Sequence, residues 1–161
     1  MATSLTPDEV RDFLENQRTL VLATVKRDGA PVMHALWFTY LDNAVYFNIQ
    51  ARSFKNQNIQ RDNRVSCLVE AGETYFDLRG VMIQGRCTPV EDAQEMERVQ
   101  AALAAKNARI GSGTEELPAY FSESRSRRTT RGDRVMLKVS MDKVTTWDFG
   151  KVREHYNQAR S

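Results

Sequence analysis

The sequence has little of what side-chain chemistry most often uses. Among 161 residues there are two cysteines and two histidines. Cys67 and Cys87 lie in apolar segments and form no Cys-x-x-Cys pair, which argues against a zinc knuckle and favours buried, inert thiols in a reducing compartment. His34 and His155 form no His-x-x-x-His pair, and no Gly-x-Ser-x-Gly nucleophile elbow occurs. A multi-histidine metal centre is therefore excluded, and hydrolysis by protein side chains has little support.

Long apolar runs and an excess of one charge are also missing. No uninterrupted apolar stretch approaches the roughly 20 residues of a membrane helix, and the N-terminus does not resemble a secretory signal. Lys and Arg number 23 against 21 Asp and Glu, a formal charge of +2 that does not indicate a nucleic-acid binder. We therefore expect a cytoplasmic protein that binds neither membrane nor nucleic acid. Its length predicts one domain, residues 1–161, with a core at about 19–148 and a polar tail at 149–161.

Turn signals and hydrophobic periodicity alternate between short strands and a few helices. Thr6-Pro7-Asp8-Glu9 predicts a helix that starts with a capping box. Two further helices are predicted at 53–61, capped by Ser53, and at 91–109. The six predicted strands cover 19–25, 31–40, 45–49, 64–70, 75–89 and 134–147. Gly80 and Gly85 predict bulges or close backbone approach. This order predicts an α+β, mainly β fold, an antiparallel six-stranded barrel with peripheral helices.

One strand-to-helix junction has the composition of an anion site. Arg52, the Ser53 hydroxyl and Lys55 reach the first turn of the predicted second helix. The N–H groups of a first turn lack intrahelical partners, and the helix dipole makes that end positive. Two cations and a hydroxyl there favour a phosphate cradle. The alternative is an ordinary capped helix with exposed basic side chains, and the spacing alone leaves both interpretations open.

Several short segments occur in a characteristic order between about Leu20 and Trp147. They are Leu22-Ala23-Thr24-Val25, Asp28-Gly29-Ala30-Pro31, Ala35-Leu36-Trp37-Phe38, the stretch from Arg52 to Val65, and Arg79-Gly80-Val81-Met82-Ile83-Gln84-Gly85. Together they resemble the pyridoxamine-phosphate-oxidase-like superfamily of flavin- and deazaflavin-binding split barrels. The Leu-Ala-Thr opening, the Trp-Phe strand and Leu78-Arg79-Gly80 are most similar to the actinobacterial branch that uses the deazaflavin coenzyme F420.

The resemblance implies a split-barrel homodimer with two cofactor sites at the subunit interface. It also implies hydride transfer from reduced F420 to a small organic acceptor. The phosphate would lie at Ser53 and Lys55, and Arg79 and Gly80 would be contributed across the dimer. The implied cofactor-binding residues are His34, Ala35, Leu36, Trp37, Phe47, Asn48, Ile49, Arg52, Ser53, Lys55, Asn58, Arg79 and Gly80. Because the cofactor supplies the redox chemistry, no protein nucleophile is needed. No catalytic residue is assigned, although Tyr40, Tyr75 and His34 are available proton donors.

The chain departs from the flavin-using oxidases at two positions. Phe54 stands where those oxidases often have a second basic residue, and Gly80 replaces a side chain that contacts their flavin. Arg153-Glu154-His155 does not match their substrate motif convincingly. These departures weaken the case for pyridoxamine-phosphate oxidation.

Other functions remain open at this stage. An FMN-dependent oxidoreductase is one alternative, and a non-catalytic flavin-, deazaflavin- or haem-binding protein is another, although His34 is expected to pack rather than to bind haem. The run from Arg125 to Arg131 is interpreted as a solvated loop or as a site for the polyglutamate tail of F420. A nucleic-acid role is the third interpretation, because the run has no interleaved aromatic residues.

Overall fold

A computed structural model of the chain describes residues 3–111 and 133–158. The described residues contain eight strands and four α-helices. In chain order they are α1 (Pro7–Asn16), β1 (Thr19–Val25), β2 (Pro31–Trp37), β3 (Thr39–Leu41), β4 (Ala44–Gln50), α2 (Phe54–Arg61), β5 (Arg64–Ala71), β6 (Arg79–Pro89), α3 (Ala93–Ile110), β7 (Arg134–Ser140), β8 (Lys143–Asp148) and α4 (Gly150–Gln158). The predicted α+β, mainly β class is confirmed.

The strands form one curled antiparallel sheet, a split barrel, in the order β2-β1-β5-β6-β7-β4-β3. Strand β6 is long enough to pair with two successive strands along one edge. Its residues Arg79–Gln84 pair with β8, and its residues Cys87–Pro89 pair with β7. Gly85 lies at the changeover, where an added Cβ would overlap the carbonyl oxygen of Ser140. The close backbone approach predicted for Gly85 is therefore confirmed.

Three predicted strand boundaries were wrong. The strand predicted at 31–40 is divided into β2 and β3, because Phe38 and Thr39 are both buried and so break the alternation that a continuous strand requires. The strand predicted at 134–147 is divided into β7 and β8, since both must pair with β6. The strand predicted from residue 75 begins with a 3₁₀ turn, Tyr75–Asp77.

The predicted polar tail also contains regular structure. Residues 150–158 form α4, whose Gly150 N–H donates to Oδ1 of Asp148 at 2.8 Å. This helix lies beyond the core, which was predicted to end at about residue 148. Its composition is polar, and the hydrogen bond from Gly150 to Asp148 fixes its start. The sequence predicted a polar tail here, and the helix was not predicted.

The core fills the inside of the curled sheet. Leu14, Leu22, Val69, Ile83 and Val139 have no measurable exposure there. A smaller second cluster, on the opposite face of β4, packs beneath α3. Both cysteines are buried, and burial raises the pKa of each thiol to about 12. The expectation of buried cysteines is confirmed.

Helices α1 and α3 close one end of the barrel by binding each other's C-terminal carbonyl groups. Arg109 on α3 donates to the Glu15 carbonyl at 2.7 Å, and Arg18 after α1 donates to the Ile110 carbonyl. Lys106, only 6% exposed, donates to the Leu14 carbonyl at 3.1 Å. Its burial lowers the pKa of the ammonium group to about 8.

Candidate functional site

The start of α2 has the geometry that the sequence predicted. Ser53 is the N-cap, and its hydroxyl accepts a hydrogen bond from the Asn56 N–H at 3.4 Å. The Gln57 N–H donates to the Ser53 carbonyl at 3.1 Å. Within the described part of the chain, the N–H groups of Phe54 and Lys55 have no acceptor. Two backbone donors and the positive end of the helix dipole therefore face outward at this point.

The side chains around this helix start are mainly basic. Arg52 is exposed, Lys55 is half-buried, and the first turn of α2 has no acidic residue. Arg134 comes from β7, where it pairs in register with Gln50, and its guanidinium donates to the Asn48 carbonyl at 3.0 Å. We call the group of Arg52, Ser53, Lys55 and Arg134 the cradle. It can bind an anion of phosphate size through charge-assisted hydrogen bonds.

Sequence reasoning missed Arg134. It lies far from Arg52 along the chain, and only the pairing of β4 with β7 places it beside the helix start. The Ala51 N–H donates to the Asp133 carbonyl at 2.8 Å, which fixes the same junction. No local signal in the sequence identified this contact, because it depends on which strands are neighbours.

Strand β2 presents two different faces at the site. His34 and Leu36 are half-buried on the inner face, whereas Ala35 and Trp37 are exposed on the outer face. The Nδ1 atom of His34 is buried, and no partner for it is found among the described residues. An unpaired buried nitrogen is uncommon, because losing its hydration without a replacement bond costs free energy. Strands β2 and β4 also contact each other, so His34 lies on the strand next to the one that leads into the cradle.

Other predicted cofactor contacts are packed inside the protein. Phe47 and Ile49 are 3% and 2% exposed and belong to the core of the barrel. Asn48 is half-buried and points to the opposite face of β4. Asn58 is 1% exposed, donates to Oγ1 of Thr24 at 3.1 Å and accepts from Arg61 at 3.3 Å. Their cofactor contacts stay predictions, and Asn58 has a structural hydrogen-bonding role here. Phe54 is 53% exposed at the start of α2.

Arg79 and Gly80 lie at a different place in the sheet. They lie on the part of β6 that pairs with β8, whereas β6 meets β7, the strand of Arg134, only at Cys87–Pro89. An added Cβ at Gly80 would overlap the ring of Trp147. The Arg79 guanidinium lies 5.3 Å from the centroid of the Phe13 ring. One protomer therefore does not bring Arg79 and Gly80 together with the cradle.

The outer face of β2, β1, β5 and β6 has a row of apolar side chains. Ala35, Val21, Leu68 and Met82 form this row by their register; Ala35 is exposed and the other three are half-buried. Met33 on the edge strand β2 is 69% exposed. We call this surface the outer face. A partly exposed apolar row of this kind can serve as an interaction site.

An open groove of about 660 Å³ crosses the far end of the outer face, near the hairpin between β1 and β2. Arg64, Arg86 and Lys143 line it, with Asp142 as its acidic residue. The outer face therefore changes from apolar to basic along the strands. The run from Arg125 to Arg131 lies outside the described residues.

The fold and the cradle define a class of protein, a split barrel with an anion site where a strand runs into a helix. The chain belongs to the pyridoxamine 5'-phosphate oxidase family, whose model matches residues 6–148. This family binds flavin-type cofactors and includes oxidases and reductases. None of the curated proteins compared with the chain matches it.

Solved structures share the fold. A conserved hypothetical protein of Mycobacterium tuberculosis is 28% identical with a TM-score of 0.75, over 95% of this chain and 91% of that one. The heme storage protein HutZ of Vibrio cholerae is 16% identical with a TM-score of 0.63, over 89% and 94%. An F420 reductase is 22% identical with a TM-score of 0.58, over 84% and 94%. The predicted superfamily is confirmed by the family match. The two structures that are less than 25% identical to this chain show the fold alone.

Among the residues that the structure describes, no helix is both long and apolar enough to span a membrane.

Proposed function

We propose that this protein is an oxidoreductase that uses coenzyme F420 to transfer hydride to a small organic acceptor. The observation that carries the proposal is the cradle: the first turn of α2 has two N–H groups with no acceptor among the described residues, Arg52 and Lys55 flank the Ser53 cap, and Arg134 pairs in register with Gln50 just before it. F420 has a phosphodiester, and a negatively charged phosphate is the ligand that such a helix start prefers. The family membership and the similarity to an F420 reductase support the choice of coenzyme.

The residues present fit a flavin-type molecule with a phosphate. Lys55 and Arg134 can neutralise the phosphate charge while the N–H groups of Phe54 and Lys55 donate to its oxygens. The buried Nδ1 of His34 lacks a partner in the described residues, and it can donate to or accept from the bound molecule. A buried ring nitrogen without a protein partner is expected at a binding site where the ligand completes the hydrogen bonding.

The chain's own contribution is binding and orientation. When bound, F420 supplies a hydride donor, so the protein needs no nucleophile. The cradle holds the phosphodiester of the coenzyme, and strand β2 limits the position of the ring system. A second copy packed on the apolar outer face would exclude water from the space beside it.

We further propose that the active form is a homodimer joined through the outer face. Met33, Ala35, Val21, Leu68 and Met82 would be removed from water by a second copy, which is the usual reason for such a surface. In that dimer, Arg79 and Gly80 of one protomer can approach the coenzyme bound at the cradle of the other. This arrangement accounts for the separation of the two groups within one chain. A cytoplasmic location and independence from nucleic acid and membranes stay predictions.

FMN is the second candidate coenzyme, because its phosphate would fit the same cradle. F420 and FMN differ in the ring system and in the groups attached beyond the phosphate. The described residues do not distinguish between the two coenzymes at either place. A non-catalytic binding protein for flavin, deazaflavin or haem would use the same barrel without turnover. Absorbance of the purified protein titrated separately with F420, FMN and haem distinguishes these candidates.

The direct test of the cradle is Lys55→Ala. We expect coenzyme binding to weaken by about 1.5–3 kcal/mol, the value of a charge-assisted hydrogen bond to phosphate. Lys26→Ala is the matched control, because Lys26 pairs with Asp28 in the hairpin between β1 and β2. Fluorescence titration with F420 measures both variants. Equal affinity in Lys55→Ala and the wild type would show that the phosphate lies elsewhere.

A further inference from the structure

Asn56 is a buried amide in the first turn of α2. Its residue is only 4% exposed, and its Nδ2 donates to the Ala51 carbonyl at 2.7 Å. Its backbone N–H donates to the Ser53 hydroxyl, the N-cap of the same helix. A buried amide costs free energy unless it is hydrogen-bonded, and asparagine is a weak helix former. Because so little of Asn56 is exposed, it can act on a ligand only through the residues that it holds.

The carbonyl groups in the turn before α2 all accept hydrogen bonds from the protein. They accept at 3.0, 2.7, 3.5 and 3.1 Å, in the order Gln50, Ala51, Arg52 and Ser53. The shortest of these four bonds is the one from the Asn56 amide. A carbonyl oxygen that faced an anion would repel it, whereas a backbone N–H attracts it. The Asn56 amide therefore removes one repulsive group from the cradle by holding the Ala51 carbonyl toward the protein interior.

Ala51 also joins the two halves of the cradle. Its N–H donates at 2.8 Å to the carbonyl of Asp133, the residue before Arg134. Its carbonyl accepts from Asn56, the residue after Lys55. Both backbone groups of Ala51 are thereby fixed, one to the start of β7 and the other to the start of α2. Without the Asn56 amide, the pairing of β4 with β7 would still hold Arg134, but the first turn of α2 would lose its side-chain link to that pair of strands.

We propose that Asn56 is a positioning residue of the cradle. Its amide directs the Ala51 carbonyl away from the bound anion and keeps the first turn of α2 aligned with Arg134. This inference rests on the proposed function for the identity of that anion, a phosphate. A phosphate bound by both halves needs their donors at fixed separations, so a loosened link lowers the affinity although no group that touches the phosphate is removed.

The first test compares ligands that differ in their phosphate. F420 is paired with FO, its deazaflavin core without the phosphodiester, and FMN is paired with riboflavin. Asn56→Ala should raise the Kd of F420 and of FMN about tenfold and leave the Kd of FO and of riboflavin within about twofold. Fluorescence titration of the full-length protein gives all four values. Asn56→Ser, which also removes the amide but keeps a polar group, should change the ratios in the same direction and is measured in parallel in case Asn56→Ala does not fold.

Thr24→Val is the matched control for the loss of a buried hydrogen bond. The Thr24 hydroxyl, in a residue 1% exposed, accepts from the Asn58 amide at 3.1 Å. The substitution therefore removes another buried bond of α2 and leaves the turn before the helix unchanged. Urea unfolding should show that both Thr24→Val and Asn56→Ala are less stable than the wild type. Only Asn56→Ala should change the Kd ratio between F420 and FO.

The second test combines Asn56→Ala with Arg134→Ala. In the wild-type background, Arg134→Ala should raise the Kd of F420 about tenfold. In the Asn56→Ala background it should raise the Kd at most about threefold, because the guanidinium is no longer aligned with the first turn of α2. Independent effects, whose factors simply multiply, would overturn the inference.

The outcomes separate this inference from the proposed function. If the wild type binds F420 more tightly than FO, and the folded Asn56 variants keep that ratio, the inference is wrong and the cradle remains the phosphate site. If the wild type binds F420 and FO equally well, and FMN and riboflavin equally well, the cradle binds no phosphate. The proposed function and the inference then both fail.

Discussion

Replacing Ser53 with aspartate separates two roles that this residue has at the start of α2. The hydroxyl caps the helix by accepting from the Asn56 N–H, and it also faces the proposed phosphate. Aspartate is as good an N-cap as serine, and its charge interacts favourably with the helix dipole. The Ser53→Asp variant should therefore unfold with the wild-type free energy or up to about 1 kcal/mol above it.

The same change should abolish most coenzyme binding. A carboxylate about 4 Å from a phosphate is repelled by roughly 4 kcal/mol at an effective dielectric constant of 20. Screening by salt reduces this, so we expect a loss of about 2–4 kcal/mol. Since each 1.4 kcal/mol is tenfold, the Kd should rise between about 30-fold and 1,000-fold.

Thr6→Asp provides the matched control. Thr6 is the N-cap of α1 and accepts from the Glu9 N–H at 3.3 Å, so the substitution makes the same chemical change at another helix. Urea unfolding measures the stability of both variants, and fluorescence titration measures their affinity for F420 and FMN. If Ser53→Asp is folded and binds the coenzyme as tightly as Thr6→Asp does, the cradle is not the phosphate site.

Three further predictions concern packing, charge and assembly. Gly80→Ala should lower the free energy of unfolding by about 1–3 kcal/mol, because its Cβ would overlap Trp147; wild-type stability in urea would contradict this packing. Lys106 has a pKa near 8 when folded and its ordinary value near 10.5 when unfolded, so the unfolded chain binds more protons between these values. Stability should therefore rise from pH 8 to pH 10.5, by up to about 3 kcal/mol, and Lys106→Met should remove that rise; an identical pH profile of urea unfolding in both proteins would refute the assignment. Met33→Glu places a charge on the proposed dimer face and should give monomers by analytical ultracentrifugation, and a variant that stays dimeric would place the interface elsewhere.

The parts of this protein that sequence reasoning predicted well depend on short stretches of chain. The capping box from Thr6 to Glu9 and the Ser53 cap each involve residues within one helical turn, so the necessary groups are adjacent in the sequence. The limits of β1 follow from its β-rich apolar run, and the hairpin after it follows from Asp28-Gly29, where glycine adopts φ +86°. Arg52 and Lys55 of the cradle were predicted for the same reason, since both flank the Ser53 cap in the sequence.

The tertiary structure decided everything that depends on which segments are neighbours. Arg134 joins the cradle only because β7 pairs with β4, and Lys106 is buried only because α3 packs against α1 and Phe38. The division between β7 and β8 follows from the length of β6, which accepts both strands along one edge. The local composition does not reveal these pairings. A polar or basic side chain is compatible with an exposed position, and only the packing of another segment over it decides whether it is buried.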